Sequence, residues 1–176
     1  MEKTNAMRGL EQRKVAYTPV EYPVEGHTSA VDVARLVGLP PEMVYKTLVV
    51  LRERGRPLLV MIAGPRELDP RRLARAIGEK SVRMAPHTEA ERLTGLQVGG
   101  IGALALLNKP FDVLLDQPAL DLTEILVNGG RRGLNLRLRV DDLVRVTGAR
   151  VVEASSPSGA LGGSGGPDGS ASLEEM

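Results

Sequence analysis

Apolar residues recur along the chain in two rhythms, one typical of strands and one typical of amphipathic helices, and turn or capping residues separate the stretches. The strand rhythm predicts β-strands at 17–22, 44–52, 57–63, 81–84, 113–116, 124–128, 134–140 and 150–152. Helices, counted with their capping residues, are predicted at 7–15, 29–38, 69–78, 88–95 and 141–146.

Capping signals support three of these helices. Ser29 and Asp32 have the spacing of a capping box, in which each side chain bonds the backbone N–H of the other, and Thr88 and Glu91 repeat that spacing. Asp69 precedes a proline at the first helical position, which is a common way for a helix to begin. We therefore expect helices to start at these three places.

The connections between strands indicate the fold class. A charged four-residue turn at 53–56 separates the strand patterns at 44–52 and 57–63 and predicts a hairpin. Other strands are separated by helices. This mixture favours a single α/β (α+β) domain with a mixed sheet over a doubly wound parallel sheet.

The end of the chain has a different composition. From Ser155 onward Gly, Ser and Pro dominate, and large apolar side chains are almost absent. Such a segment cannot bury enough surface to offset the entropy lost on ordering. The sequence therefore predicts a folded domain at 1–153 and a disordered Gly/Ser-rich tail at 154–176.

Composition excludes several function classes. The 176 residues contain no Cys, which removes disulfides, thiolate metal sites and a cysteine nucleophile. His27 and His87 lie in separate predicted loops without metal-binding spacing, so no metal or other cofactor is expected. No stretch is long and apolar enough to span a bilayer, and the N-terminus has no apolar signal core, so we expect a cytoplasmic protein without a membrane partner.

Charge is unevenly distributed. All 23 Lys and Arg residues but only 18 of the 22 acidic residues lie within 1–150, which gives that part a net charge of +5. This bias is compatible with a polyanionic partner and is weaker than that of a dedicated DNA-binding domain, so DNA is not expected as a partner.

Lys46 is the most unusual residue in the strand patterns. Alternation places it on the same face as Val44, Leu48 and Val50, among aliphatic side chains, whereas Thr47 points to the opposite face. An unpaired buried ammonium is costly. One interpretation is an edge-strand lysine that reaches water, and the other is a lysine lining a pocket and directed at a carbonyl or phosphate.

Two glycine-rich segments are further candidates. The stretch 95–103 has four glycines in eight positions, and such a loop can bring backbone N–H groups close to a ligand or simply form a tight connection. The turn 128–133 joins two predicted strands and contains Arg131 and Arg132. It can present guanidinium groups to an anion or be an ordinary surface hairpin.

The order of these segments is distinctive. GHTSAVDVARLVGLPPEMV leads into YKTLVV, and TGLQVGGIG and ILVNGGRRGLNLRL follow, over about residues 8–152. This order resembles the YbaK/EbsC family, the aminoacyl-tRNA deacylase domain that is also found inserted in or associated with prolyl-tRNA synthetases. The resemblance implies one domain built around a mixed, curved, barrel-like sheet flanked by helices.

The resemblance also implies a function, trans-editing, in which the ester of a mischarged tRNA is hydrolysed at its acceptor end. The substrate implied is tRNA for proline, and prolyl-tRNA synthetase is a possible partner. Lys46 matches the family's signature lysine, which is expected to hold the substrate rather than attack it. The pocket positions implied as substrate-binding are Tyr22, Thr47, Gly99, Gly100, Ile101, Gly102, Asn128, Gly129, Gly130 and Arg132.

The chain departs from the family pattern in the glycine-rich loop and in the turn. Gly102 and Ala103 stand where the family has Ser and Pro, and Asn128 stands where a small hydroxyl residue is usual. These changes remove a hydroxyl donor and a fixed backbone angle and reshape the pocket. They leave open a noncatalytic tRNA- or nucleotide-binding module of the same fold, or a relative that takes another small acyl or amino-acid ligand.

Overall fold

The computed structural model describes residues 1–26 and 28–158. In this part the helices are α1 (Asn5–Gln12), α2 (Ala30–Val37), α3 (Pro70–Ile77), α4 (His87–Thr94) and α5 (Val140–Thr147). The strands are β1 (Thr18–Glu21), β2 (Tyr45–Arg52), β3 (Leu58–Ala63), β4 (Arg66–Leu68), β5 (Val82–Met84), β6 (Asp112–Asp116), β7 (Glu124–Asn128), β8 (Leu134–Arg139), β9 (Arg150–Val152) and β10 (Ser155–Pro157). Short 3-10 helices occupy Pro41–Met43, Ala103–Leu106 and Gln117–Asp121.

The strands form a mixed arrangement of three sheets. The largest has the order β5-β2-β3-β6-β9, in which β6 runs parallel to both β3 and β9 while the other pairs are antiparallel. A second, antiparallel sheet has the order β1-β8-β7, and β10 pairs with β4. A parallel bridge between Val44 and Leu126 joins the two larger sheets. The predicted α/β (α+β) class with a mixed sheet is confirmed.

The five-stranded sheet is buried on both faces. Tyr45 and Val49 of β2 belong to the main core with α1 and β8, whereas Val50 belongs to a second cluster beneath α3. A third, smaller cluster lies beneath α2 and contains Leu126 of β7. Helices therefore cover the sheets from several sides, as aliphatic strands buried on both faces require.

The capping predictions have mixed outcomes. Ser29 and Asp32 form the predicted capping box, and the side chain of Asp69 accepts a hydrogen bond from the backbone of α3. The prediction for Thr88 and Glu91 is wrong, because the N-cap of α4 is Pro86, two residues before Thr88, and the helix has no side-chain cap. The Glu91 carboxylate instead accepts from the N–H of Val98, 2.8 Å away, and so anchors the start of the glycine-rich loop.

The predicted start of the tail at 154 is also wrong. Strand β10 pairs with β4, and sequence patterns predicted neither strand. The physical reason is Asp116, whose carboxylate is 1% exposed and accepts hydrogen bonds from the N–H of Ala154 and the hydroxyl of Ser155. A buried carboxylate needs such partners, and they come from the chain beyond 153. The remaining predicted tail, 159–176, lies outside the described residues.

Candidate active site

A cavity of about 340 Å³ opens where the two larger sheets meet. Strand β2 pairs with β3 along its length, but on its other edge β5 reaches only Val50 to Arg52. The edge from 45 to 48 therefore has no strand partner among the described residues. The cavity fills this gap, and its walls come from the start of β2, α2, α4, the ends of β7 and β8 and the loop around Gly99.

Lys46 lies on the wall of this cavity. Its ammonium Nζ donates a hydrogen bond to the backbone oxygen of Gly64 at 3.0 Å. An ammonium has three N–H donors, so two remain for a ligand. Burial lowers the pKa of Lys46, and the negative charge of Glu67 opposes that change in part. Lys46 thus presents a partly desolvated donor to the cavity.

Thr47 also lines the cavity, next to Tyr45. The Thr47 hydroxyl oxygen is buried and has no hydrogen-bond partner among the described residues. Burial is the main reason why the pKa of the Tyr45 phenol is raised, with the charge of Asp116 adding to it. The side chains of Tyr45 and Thr47 lie on the face of β2 that points away from α3, and Lys46 lies on the other face. Lys46 and Thr47 therefore approach the cavity from opposite faces of the strand.

Fewer residues of the glycine-rich loop line the cavity than the sequence suggests. Gly99 and Ile101 line the cavity, while Gly100 and Gly102 are buried behind them. The N–H of Gly100 donates to the Gln97 oxygen at 2.8 Å and is therefore not available to a ligand. The N–H groups of Ile101 and Gly102 have no acceptor within residues 1–26 and 28–158. The N–H of Gly99 likewise has no acceptor among these residues, so the loop residues on the cavity wall with an available N–H are Gly99 and Ile101.

Asn128 fastens the loop to the neighbouring turn. Its side-chain Nδ2 donates to the oxygens of Gly99, at 2.9 Å, and Arg131, at 3.3 Å. The N–H of Gly130 donates to Asn128 Oδ1 at 2.7 Å. Both amide protons are thus used inside the protein. Asn128 lines the cavity, but the geometry makes it a positioning residue rather than a free hydrogen-bond donor.

The rest of the turn shapes the mouth of the cavity. Arg132 donates to the oxygen of Gly26 at 2.8 Å and borders a small groove that shares Tyr22 with the cavity. Burial raises the pKa of Tyr22, with Arg132 opposing it. Gly129 and Gly130 do not line the cavity. A Cβ on Gly129 would lie 2.7 Å from the Leu134 side chain, which explains why glycine is needed there.

The lining includes polar side chains that are not among the candidates drawn from the sequence, and two of them are Asn135 and His87. Asn135 of β8 is 4% exposed and lies on the wall facing α2. The pattern LNLRLR gave no signal, because alternation places Asn135 on an outward face that only the packing of α2 encloses. His87, expected to be a surface histidine, lines the cavity from the first turn of α4. His27 lies outside the described residues.

The lining offers no paired nucleophile and base. The Ser29 hydroxyl is committed to its capping box, donating to the Asp32 carboxylate at 2.9 Å and accepting from the Asp32 N–H at 3.1 Å. Among residues 1–26 and 28–158, no carboxylate lines the cavity. Such a site can hold and polarise an ester, and water is the nucleophile it leaves available. In the described part of the chain, no helix is long and apolar enough to cross a membrane.

Comparison with known proteins identifies the class. Residues 24–146 match the family model of the aminoacyl-tRNA editing domain. The chain is 34% identical over 156 residues, covering 88% of it and 94% of the relative, to EbsC of Enterococcus faecalis, which is named as a candidate Cys-tRNA(Pro)/Cys-tRNA(Cys) deacylase. A crystal structure of a candidate trans-editing enzyme for prolyl-tRNA synthetase matches with a TM-score of 0.76 and 28% identity over 89% of this chain and 99% of that one.

The chain belongs to the aminoacyl-tRNA editing domain family. The predicted family and the predicted enzyme class, an aminoacyl-tRNA hydrolase, are confirmed. A further relative is the proline–tRNA ligase of Thermodesulfovibrio yellowstonii, 36% identical over 89 residues, which are 51% of this chain and 14% of the ligase. The similarity to the ligase thus concerns one domain of a much larger enzyme.

Proposed function

We propose that this protein removes the wrong amino acid from mischarged tRNA for proline, by hydrolysing the ester at the tRNA 3′ end. The observation that carries the proposal is the position of Lys46, a half-buried ammonium with two free donors on the wall of a cavity whose other described lining residues include no Asp, Glu, Lys or Arg. The names of the relatives, which include a deacylase of Cys-tRNA(Pro) and ligases for proline, support this choice of tRNA.

The roles follow from the geometry. Lys46 binds the ester carbonyl and stabilises the negative charge that develops on its oxygen, and the N–H groups of Gly99 and Ile101 add to that stabilisation. Water attacks the carbonyl carbon, and the tRNA 3′ oxygen leaves with a proton. Arg132 at the mouth of the cavity contacts the phosphates of the acceptor end. Association with prolyl-tRNA synthetase would deliver the substrate at its source.

The test is the release of free amino acid from tRNA for proline and tRNA for cysteine, each charged with Ala, Cys or Ser. We expect at least one ester on tRNA for proline to be hydrolysed at a rate well above its spontaneous rate. A binding-only module would leave every ester intact while still binding tRNA, with an affinity that falls steeply as salt rises. Equal rates on both tRNAs would contradict the proposed tRNA.

A further inference from the structure

Asn135 is a buried polar residue whose side chain the fold leaves without a partner. It lies on β8 directly opposite Asn128 of β7. Unlike Asn128, its side-chain amide makes no hydrogen bond to any residue that the structure describes. In the described residues, the side-chain polar atoms that are sealed from solvent and have no partner are the hydroxyls of Thr47 and Ser156, and the Asn135 amide is not among them. The amide of Asn135 therefore opens onto the cavity that it lines.

Asn135 is 4% exposed and meets solvent only through the cavity that it lines, so its amide has lost most of its contact with water. A buried polar group that loses its hydrogen bonds to water and gains none in return destabilises the folded state, and nearly all such groups in proteins have a partner. Leucine has about the same size and would avoid the cost, and β8 already carries Leu134 and Leu136 on either side. The amide is thus positioned to pair with something that enters the cavity.

The chemistry of the lining narrows what that ligand group can be. Within the described part of the chain, the lining contains Lys46 but no carboxylate, so a positively charged side chain would find no counter-charge there. An amide both donates and accepts. A hydroxyl does the same and satisfies both halves of the amide, a thiol does so weakly, and an alkyl group leaves the amide unpaired.

The position of Asn135 in the cavity determines which part of the substrate can reach it. The tRNA must remain outside, so the aminoacyl group at its 3′ end enters first and lies deepest. Asn135 is 4% exposed, whereas Lys46 on β2 retains more contact with solvent. With the ester held at Lys46, the side chain of the amino acid extends towards Asn135.

We propose that Asn135 is a specificity-determining residue that selects a small, hydroxyl-bearing aminoacyl group, of which seryl is the smallest. This rests on the proposed function, since the amide can select only among esters that the site hydrolyses. The proposed preference for seryl esters also distinguishes this chain from EbsC of Enterococcus faecalis, which is named for cysteinyl esters.

The experiment uses tRNA for proline charged with serine, cysteine or 2-aminobutyrate, the last having a methyl group in place of the hydroxyl or thiol. The full-length protein is compared with Asn135→Leu, and kcat/KM is measured for each ester. We expect the ratio of seryl to 2-aminobutyryl hydrolysis to fall about tenfold in the variant, which is the effect of one buried hydrogen bond. The intrinsic reactivity of each ester cancels in this comparison.

The controls separate the possible failures. Asn108 is exposed and outside the cavity, so Asn108→Leu makes the same chemical change and should leave the ratio unaltered. Leu at position 135 could also act by blocking the cavity. Asn135→Ala removes the amide without adding bulk, so it should lower the ratio of seryl to 2-aminobutyryl hydrolysis as Asn135→Leu does. An unchanged ratio in both Asn135 variants, or a wild-type preference for cysteinyl over seryl esters, overturns the role of Asn135 while leaving the proposed function intact. A wild-type protein that hydrolyses none of the esters refutes the proposed function itself.

Discussion

A Cβ atom on Gly102 would lie 2.7 Å from the backbone oxygen of Asn128 and 3.1 Å from its Cβ. The backbone of Gly102 is extended, with φ −145° and ψ 141°, a conformation that any residue adopts. Space, and not backbone strain, therefore requires glycine here. Two of the three departures from the family pattern, Gly102 and Asn128, are in contact with each other and belong to one altered packing of the loop against β7.

Gly102→Ala should consequently destabilise the protein. Relieving the contact needs a shift of the β7 backbone, and overpacking of this kind costs about 1–3 kcal/mol of unfolding free energy. Denaturant unfolding measures the change. The matched control is Gly9→Ala in α1. The new Cβ there would lie 3.0 Å from the flexible end of the Leu107 side chain, and Ala favours the helical conformation more than Gly does. A Gly102→Ala protein as stable as the wild type would show that the loop is free to move.

Asn128→Ala should loosen the glycine-rich loop. The change removes the hydrogen bonds to Gly99, Arg131 and Gly130, so the N–H groups of the loop lose their fixed position relative to Lys46. We expect kcat for ester hydrolysis to fall about tenfold or more with little change in KM, because a misplaced donor weakens transition-state binding. Asn128→Asp keeps the acceptor for Gly130 but sets a carboxylate oxygen against the oxygens of Gly99 and Arg131, so it should not restore the rate. A KM effect alone would contradict the positioning role.

Lys46 predicts a specific dependence of stability on pH. Because burial lowers its folded-state pKa below the ordinary value of 10.5, the unfolded chain binds more protons between the two pKa values. The folded state therefore gains stability as the pH rises through that window. Lys46→Met has no titrating group at this position. The melting temperature of the wild type should therefore rise relative to that of the variant as the pH increases towards 10.5. A constant difference would show that folding leaves the pKa of Lys46 unchanged, and a difference that grows in favour of the variant would show that folding raises it; either result contradicts this prediction.

Asp116 should be important for stability. Asp116→Ala leaves the N–H of Ala154 and the hydroxyl of Ser155 without their acceptor, and it removes the ion pair with Arg66. We expect a loss of about 3 kcal/mol in the free energy of unfolding. The control Asp121→Ala changes an exposed carboxylate next to Asp116 in the fold. Removal of residues 153–176 should destabilise the protein for the same reason, and an equally stable truncated protein would contradict it.

The sequence predicts the elements of this fold where local signals determine them. The capping box of Ser29 and Asp32 and the N-cap at Asp69 work within one helical turn, and both are confirmed. Thr88 and Glu91 have the same spacing, yet Pro86 starts the helix earlier, and Glu91 bonds to Val98 instead. Local spacing alone cannot distinguish these two situations.

Tertiary packing decides what the sequence could not predict. The burial of Asn135 depends on α2 lying over a strand more than 90 residues away in the chain, and alternation along β8 contains no trace of it. The order of Ser155 depends likewise on the distant Asp116. Lys46 was predictable because one charged residue interrupts an aliphatic face of its own strand, but its partner Gly64 was not.

The central claim is that Lys46 stabilises the transition state of ester hydrolysis, and a single-turnover assay tests it most directly. Wild type, Lys46→Met and Lys109→Met are each mixed in excess with one mischarged tRNA for proline, and release of the amino acid is followed. Lys109 is exposed and outside the cavity, so its variant controls for the loss of one positive charge. We predict wild-type rates for Lys109→Met and a loss of at least a hundredfold for a folded Lys46→Met, the usual effect of removing an oxyanion donor. Wild-type rates in Lys46→Met would contradict the account.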